Sequence, residues 1–330
     1  MFIKCCIGAF TRAPASFTDL PIEVSTPLMK RLVVNGDDFG YSVQRNKGLV
    51  ECYKNRSISS TSLLINGVAV DDAVHYIKQL AIPTGLHLNL TEGHPVGKQC
   101  DSLMDENKAF LGKHGFRDAL QKQQINFLDI YAEIVAQVKL FITKCEQKPT
   151  HIDGHQHVHI LPGVREVFST VLQEYGIAWT RLPIELDLDK CTWLSSQTLK
   201  TFLKGVVDDA VSSRDVFVKH NIKFTNGYAG LSTMGKALTT DSIMQSLKNI
   251  TKHNPEACTF EYMVHPGYLT KDVGGCGCGP DGFSRSPARY HEIQVLNDPE
   301  LKQRLRQCGF ELASYKDLDT GAIANGICGH

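Results

Sequence analysis

Two aspartates stand side by side in the segment NGDDFGY, Asp37 and Asp38, directly after a short apolar run. Adjacent carboxylates at the end of a buried strand repel each other and cost desolvation unless a positive charge compensates. The ordinary alternative is a turn in which one Asp caps the next helix. The histidines shift that balance. Four of the thirteen fall within nine residues, His151, His155, His157 and His159 of THIDGHQHVHILPG. In an extended segment alternate residues share a face, so His155, His157 and His159 would point one way. Neutral imidazole is a common ligand for divalent metals, and its second nitrogen needs a partner such as Asp153. Not every member need be a ligand: Asp153 and His157 are candidates for supporting the ligands or touching substrate.

His87 lies inside the strand-like run TGLHLNL, and His265 ends the apolar run FEYMVHPGY. Pro266 disfavours helix at the residue before it, so that strand stops with His265 at its carboxyl edge. Two imidazoles and one carboxylate leave positions open for water and substrate, the donor set of a catalytic metal site. With an unligated Asp as base and a His as acid, the constellation suits metal-assisted hydrolysis of an acyl bond.

Such a site needs strands that end at a common edge. Candidate strands are Leu32–Asn35, Thr61–Ile65, Gly85–Leu90, Thr150–Asp153, Ala178–Leu182, Phe224–Leu231, Thr259–Val264 and Phe310–Ala313. Helical periods separate them, the clearest over Phe127–Cys145, where Ile130, Ile134, Val138 and Phe141 form one stripe. Alternating strands and helices imply a parallel sheet with right-handed crossovers. About eight such units predict an α/β fold, a (β/α) barrel of TIM-barrel-like form, whose site is assembled at the carboxyl ends of the strands. Asp37, Asp38, His87, His155 and His265 all fall there. About sixty residues separate the third and fourth candidate strands, so the connection between them must be elaborated.

Composition bounds the rest. The 330 residues are 42% apolar, enough for a core and against a disordered chain. Lys and Arg number 35 and so do Asp and Glu, so no net field draws the chain to nucleic acid or an anionic membrane. No apolar run reaches the ~20 residues that cross a bilayer. Eleven scattered cysteines, an odd number, imply reduced thiols rather than a disulfide framework. Residues 1–30 read as a disordered extension, with Met29 a candidate internal start, and residues 31–330 as one domain. A cytoplasmic location follows, mitochondrial targeting by the basic, hydroxyl-rich first segment being the alternative. Gly274–Pro280 (GGCGCGP) reads as a mobile loop, and its Cys276/Cys278 pair, lacking a second pair, as unligated.

NGDDFGYS, SLLING, the His87 strand, PTHIDGHQHVHILP and MVHPGY together resemble the YdjC-type carbohydrate deacetylases, relatives of the chitooligosaccharide deacetylases. The resemblance runs from about Arg31 to Tyr315 and is nearer the vertebrate-type members than the bacterial ones. It implies a barrel-like fold and removal of acetyl groups from N-acetylated carbohydrates, short N-acetylglucosamine-type oligosaccharides. It implies Asp37 as proton acceptor, Asp38, His87 and His155 as metal ligands, and His265 as general acid. Arg181, in TRLP, lies where a strand-end side chain would reach substrate. The resemblance implies Mg²⁺, whereas the imidazole-rich donor set itself favours Zn²⁺ or another first-row metal. The partner is then a small acetylated saccharide, with neither nucleic acid nor membrane involved and a homodimer left open.

Two other readings compete. An amidohydrolase-type metal hydrolase also uses an H-x-H pair, but on the first strand, where here it comes on about the fourth. A catalytically inactive metal- and sugar-binding protein would need neither Asp37 nor His265.

Overall fold

The computed structural model describes residues 29–320 apart from positions 195, 272 and 278. The expected extension therefore lies outside the described residues up to position 28, as does Cys278 of the cysteine pair. In chain order the elements are β1 (Lys30–Phe39), α1 (Val43–Lys54), β2 (Ser60–Leu63), α2 (Val70–Leu80), β3 (Thr84–Leu88), α3 (Gly112–Gln121) and α4 (Phe127–Cys145). Then follow β4 (Ile152–Gly154), α5 (Val164–Tyr175), α6 (Gln197–Lys219), β5 (Gly227–Ala229), α7 (Thr240–His253), β6 (Thr259–Val264), α8 (Ala288–Leu296), α9 (Pro299–Gln307), β7 (Phe310–Leu312) and α10 (Tyr315–Thr320). No described helix is long and apolar enough to cross a membrane.

All strand pairs are parallel, in the order β4-β3-β2-β1-β6-β5, with β7 paired to the first residues of β1. Among the described residues seven strands therefore stand where eight were expected. The missing one, Ala178–Leu182, is present as single bridges: Thr180 pairs with Ile152 of β4, and Trp179 with Lys223 just before β5. The sheet curls into a half-barrel, and these bridges carry its curvature across the remaining gap. Phe224–Leu231 also shortens to the three residues of β5, which ends where Gly230, at φ 125°, leaves the extended conformation.

The Phe127–Cys145 stripe behaves as its period requires. Ile130, Ile134, Val138 and Phe141 are fully buried, and Asn126 caps the helix by accepting from the Leu128 amide. With α3, α4 fills the long connection between β3 and β4 and covers the outside of the sheet.

The site depends on how β1 ends. Gly36 pairs with Thr61 and Phe39 with Leu63, three steps along β1 against two along β2. The extra residue is a bulge, and Asp38 within it takes φ 64°, a left-handed conformation rare for a residue with a side chain. Without it, successive side chains would project to opposite faces. The chain then turns at Gly40 (φ 88°), where a Cβ would meet the Leu64 carbonyl at 2.9 Å, and Ser42 caps α1 by accepting from the Arg45 amide. Strand, bulge, turn and cap within thirteen residues deliver both aspartates to one edge.

Candidate metal and catalytic centre

Strand register supplies the neighbours. Gly36 lies across from Val264, so Asp37 comes to stand beside His265, the first residue past β6. His87 of β3 lies across from Asp153 of β4, and His155 follows β4 by one residue. β6 ends at Val264, so the strand stops just before His265 and Pro266.

Asp38 Oδ1 faces two imidazoles, 3.5 Å from His87 Nε2 and 3.3 Å from His155 Nδ1. Its other oxygen is held by Arg45 at 3.2 Å and Arg289 at 3.5 Å. His87 Nδ1 lies 2.7 Å from Asp153, and His155 Nε2 lies 2.9 Å from Glu92. An ionised carboxylate can only accept, so in the neutral rings each pairing leaves the facing nitrogen's lone pair for the pocket. The three facing atoms lie within 4.8 Å of one another. Ligands bound at about 2.1 Å around one ion stand about 3.4 Å apart, so this spacing fits a single divalent cation.

Electrostatics point the same way. Burial alone would lower the imidazole pKa values, but Asp153, Asp37 and Asp38 push His87 up to about 10, and Asp38 and Glu92 push His155 up to about 9. Burial opposes ionisation of Asp38, yet its bonds to the two histidines and the charge of Arg45 hold its carboxyl well below the usual range. The pocket draws positive charge, which protons supply when no ion does. Asp37, His87 and Asp153 form a second cluster with metal-ligand spacing. There the Arg181 guanidinium already neutralises both carboxylates, at 2.6 Å from Asp37 and 3.0 Å from Asp153.

Asp37 is differently placed. Oδ1 accepts from Arg181 Nη2 at 2.7 Å and from Asn35 at 2.8 Å, while Oδ2 accepts from Arg181 Nη1 alone among these donors. Burial would raise its pKa, but the guanidinium outweighs burial and keeps the carboxyl below its ordinary value. Oδ2 also stands 3.9 Å from His265 Nε2. Burial, then the charge of Arg289, lowers the His265 pKa to about 3, so its ring is neutral. Glu292 accepts from the His265 amide and fixes the backbone there.

Asp37, Asp38, His87, His155 and His265 thus converge. The H-x-H-x-H run does not stay extended: β4 ends at Gly154, and Gln156 and His157 take left-handed φ of 53° and 59°. Its histidines therefore do not share a face. Only His155 meets Asp38; His159 donates from Nε2 to the Arg181 carbonyl at 3.0 Å and leans on Phe168, and His157 is buried with no hydrogen-bond partner for Nδ1 among the described residues. Arg181 is also fully buried: its guanidinium bonds Asp37, Asp153 and Glu261 instead of lining an open substrate path. Sequence reading missed Glu92, Arg45, Arg289, Asn35 and Glu261. Asn35 had a signal, two residues before Asp37 on the same strand face, and Glu261 another, a lone acid in the apolar run FEYMV. Glu92, Arg45 and Arg289 come from loops and helices with no periodicity to betray them.

A family model described as YdjC-like protein matches residues 31–307. The chain belongs to the YdjC-like family. It is 41% identical over 302 residues to a carbohydrate deacetylase of Xenopus laevis, covering 87% of this chain and 98% of that protein. It is 41% identical over 303 residues to a mouse (Mus musculus) carbohydrate deacetylase, covering 90% and 97%. A chitooligosaccharide deacetylase of Yersinia enterocolitica is 30% identical over 290 residues, covering 87% and 99%. A solved structure from Enterococcus faecalis, titled a putative cellobiose-phosphate cleavage protein, superposes with a TM-score of 0.66 at 24% identity, over 88% of this chain and 99% of that one. That likeness is one of fold.

Proposed function

We propose that this protein is a metal-dependent hydrolase that removes the acetyl group from N-acetylated carbohydrates, short N-acetylglucosamine-type oligosaccharides being the substrate class. One observation carries the reading: a single-carboxylate, two-imidazole cluster stands beside a second aspartate, paired with Arg181, and a strand-end histidine. The names of the carbohydrate and chitooligosaccharide deacetylases to which the chain is similar support the substrate class.

Asp38, His87 and His155 would hold the cation, which when bound polarises the amide carbonyl and eases deprotonation of the attacking water. The imidazole-rich set favours Zn²⁺ or another first-row ion over the Mg²⁺ that the resemblance implied. Asp37 accepts the water's proton on Oδ2, its less occupied oxygen, and stays ionised beforehand because Arg181 holds it so. The proton that Asp37 takes from the water is the one the departing nitrogen needs, and His265, its Nε2 3.9 Å from Asp37 Oδ2, passes it on once substrate binding brings the two to hydrogen-bond distance. The charge of Arg289, whose guanidinium is bonded to the His265 carbonyl, favours release of that proton from the ring.

The test is acetate release from N-acetylglucosamine oligomers, with metal content measured on the same preparation. Release proportional to bound metal is expected. Release from O-acetyl esters alone would make the protein an esterase, and metal binding without turnover would make it a binding protein.

A further inference from the structure

Glu92 lies outside every motif that marks the site, yet its Oε2 stands 2.9 Å from His155 Nε2. We infer that Glu92 is a positioning residue that obliges His155 to serve the cation through Nδ1, the nitrogen 3.3 Å from Asp38. This rests on the metal site proposed above. A histidine ring can turn over to present either nitrogen, and its second hydrogen bond decides which. Here that bond goes to a carboxylate whose side chain is only 18% exposed.

The placement of Glu92 is overdetermined. Asn89 Oδ1 accepts from the Glu92 amide at 3.0 Å, and Asn89 Nδ2 donates to the Glu92 carbonyl at 2.8 Å. Asn66 donates to that same carbonyl at 3.2 Å. Asn89 is anchored in turn to Gln137 of α4, whose amide exchanges hydrogen bonds with the Asn89 backbone at 3.1 and 2.6 Å. On the other side lies the glycine-rich segment expected as a mobile loop. Its described part forms a turn held by the Gly275 amide on the Tyr41 carbonyl and by the Val68 amide on the Gly275 carbonyl. A Cβ at Gly275 (φ 80°) would come within 2.9 Å of Glu92 Oε1, and one at Gly93 (φ 78°) within 1.8 Å of the Cys276 carbonyl oxygen. Glycine at both places is what lets the turn close on Glu92.

The experiment is calorimetric titration of Zn²⁺ into the metal-stripped full chain, with the ring nitrogens of its histidines assigned by NMR. Wild type, Glu92→Ala and Glu92→Gln are compared. Wild type should bind with His155 coordinated through Nδ1 and protonated at Nε2. Glu92→Ala should bind about 10–100-fold more weakly. Glu92→Gln, whose amide oxygen still accepts from Nε2, should recover most of that loss. Coordination of His155 through Nε2 in wild type overturns the inference, and that readout stands even if a variant does not fold. Unchanged affinity in Glu92→Ala, or equal weakening in both variants, overturns it too, the latter by assigning the effect to charge rather than orientation. A wild type that binds no Zn²⁺, Mn²⁺, Co²⁺ or Mg²⁺ removes the metal reading itself and this inference with it.

Discussion

Arg181 grips both carboxylate oxygens of Asp37, at 2.6 and 2.7 Å, across 144 residues of sequence. The same guanidinium reaches Asp153 at 3.0 Å and Glu261 at 2.7 Å. One resident cation thus serves three buried carboxylates, while Asp38, the next residue along, turns one oxygen toward His87 and His155. Arg181→Met should strip the guanidinium from all three carboxylates and destabilise the protein by about 3–5 kcal/mol. Arg181→Lys keeps the charge but not the fork, and should fall between the two. Urea unfolding measures both; a Met variant within about 1 kcal/mol of wild type would show that the network holds nothing together.

The two adjacent aspartates should fail in different ways. Asp38→Ala, His87→Ala and His155→Ala should each lose bound metal and hydrolysis together. Asp37→Asn should keep stoichiometric metal and lose about 10²–10⁴-fold in rate, because an amide cannot accept the water's proton. Metal analysis of the purified variants decides; loss of metal from Asp37→Asn would reverse the roles of the pair.

His265→Ala should keep its metal but respond to the leaving group. An amine must be protonated to depart, whereas an activated aryl ester departs unaided, so the variant should lose about 10²–10⁴-fold on the amide and far less on the ester. Asp37→Asn should suffer on both. Equal losses for His265→Ala on the two substrates would exclude it as the proton donor.

His159 carries a pH dependence of stability. Burial lowers its pKa from 6.5 to about 4, its Nε2–H bond to the Arg181 carbonyl notwithstanding. Between those values the unfolded chain takes up a proton that the folded chain refuses. Stability is therefore full above pH 6.5 and declines as pH falls toward about 4, by about 3 kcal/mol in total. His159→Gln should be less acid-sensitive over that window. Unfolding free energies at pH 7.5, 6 and 5 test it, and parallel curves for wild type and variant would count against this titration.

The strand–helix alternation was legible because it is periodic: the stripe Ile130, Ile134, Val138 and Phe141 states which face of α4 is buried, and Pro266 states where β6 stops. The residue types of the centre were legible for a related reason, since aspartate pairs and clustered histidines are costly to bury without a cation. Their arrangement was not. Sequence order alone could not show that a bulge with Asp38 at φ 64° breaks the alternation of β1, nor that two left-handed residues after His155 scatter a run that spacing placed on one face. Arg181 read as a substrate contact from its strand end, and only the closeness of the barrel interior turned it onto Asp37. Glu92 and Arg289 left no pattern at all, because a loop and a helix far along the chain impose no period on residues that meet a site across it. Local sequence determines what a segment can become; which side chains face one another is decided by long-range packing, where a single bulge or turn redirects a carboxylate.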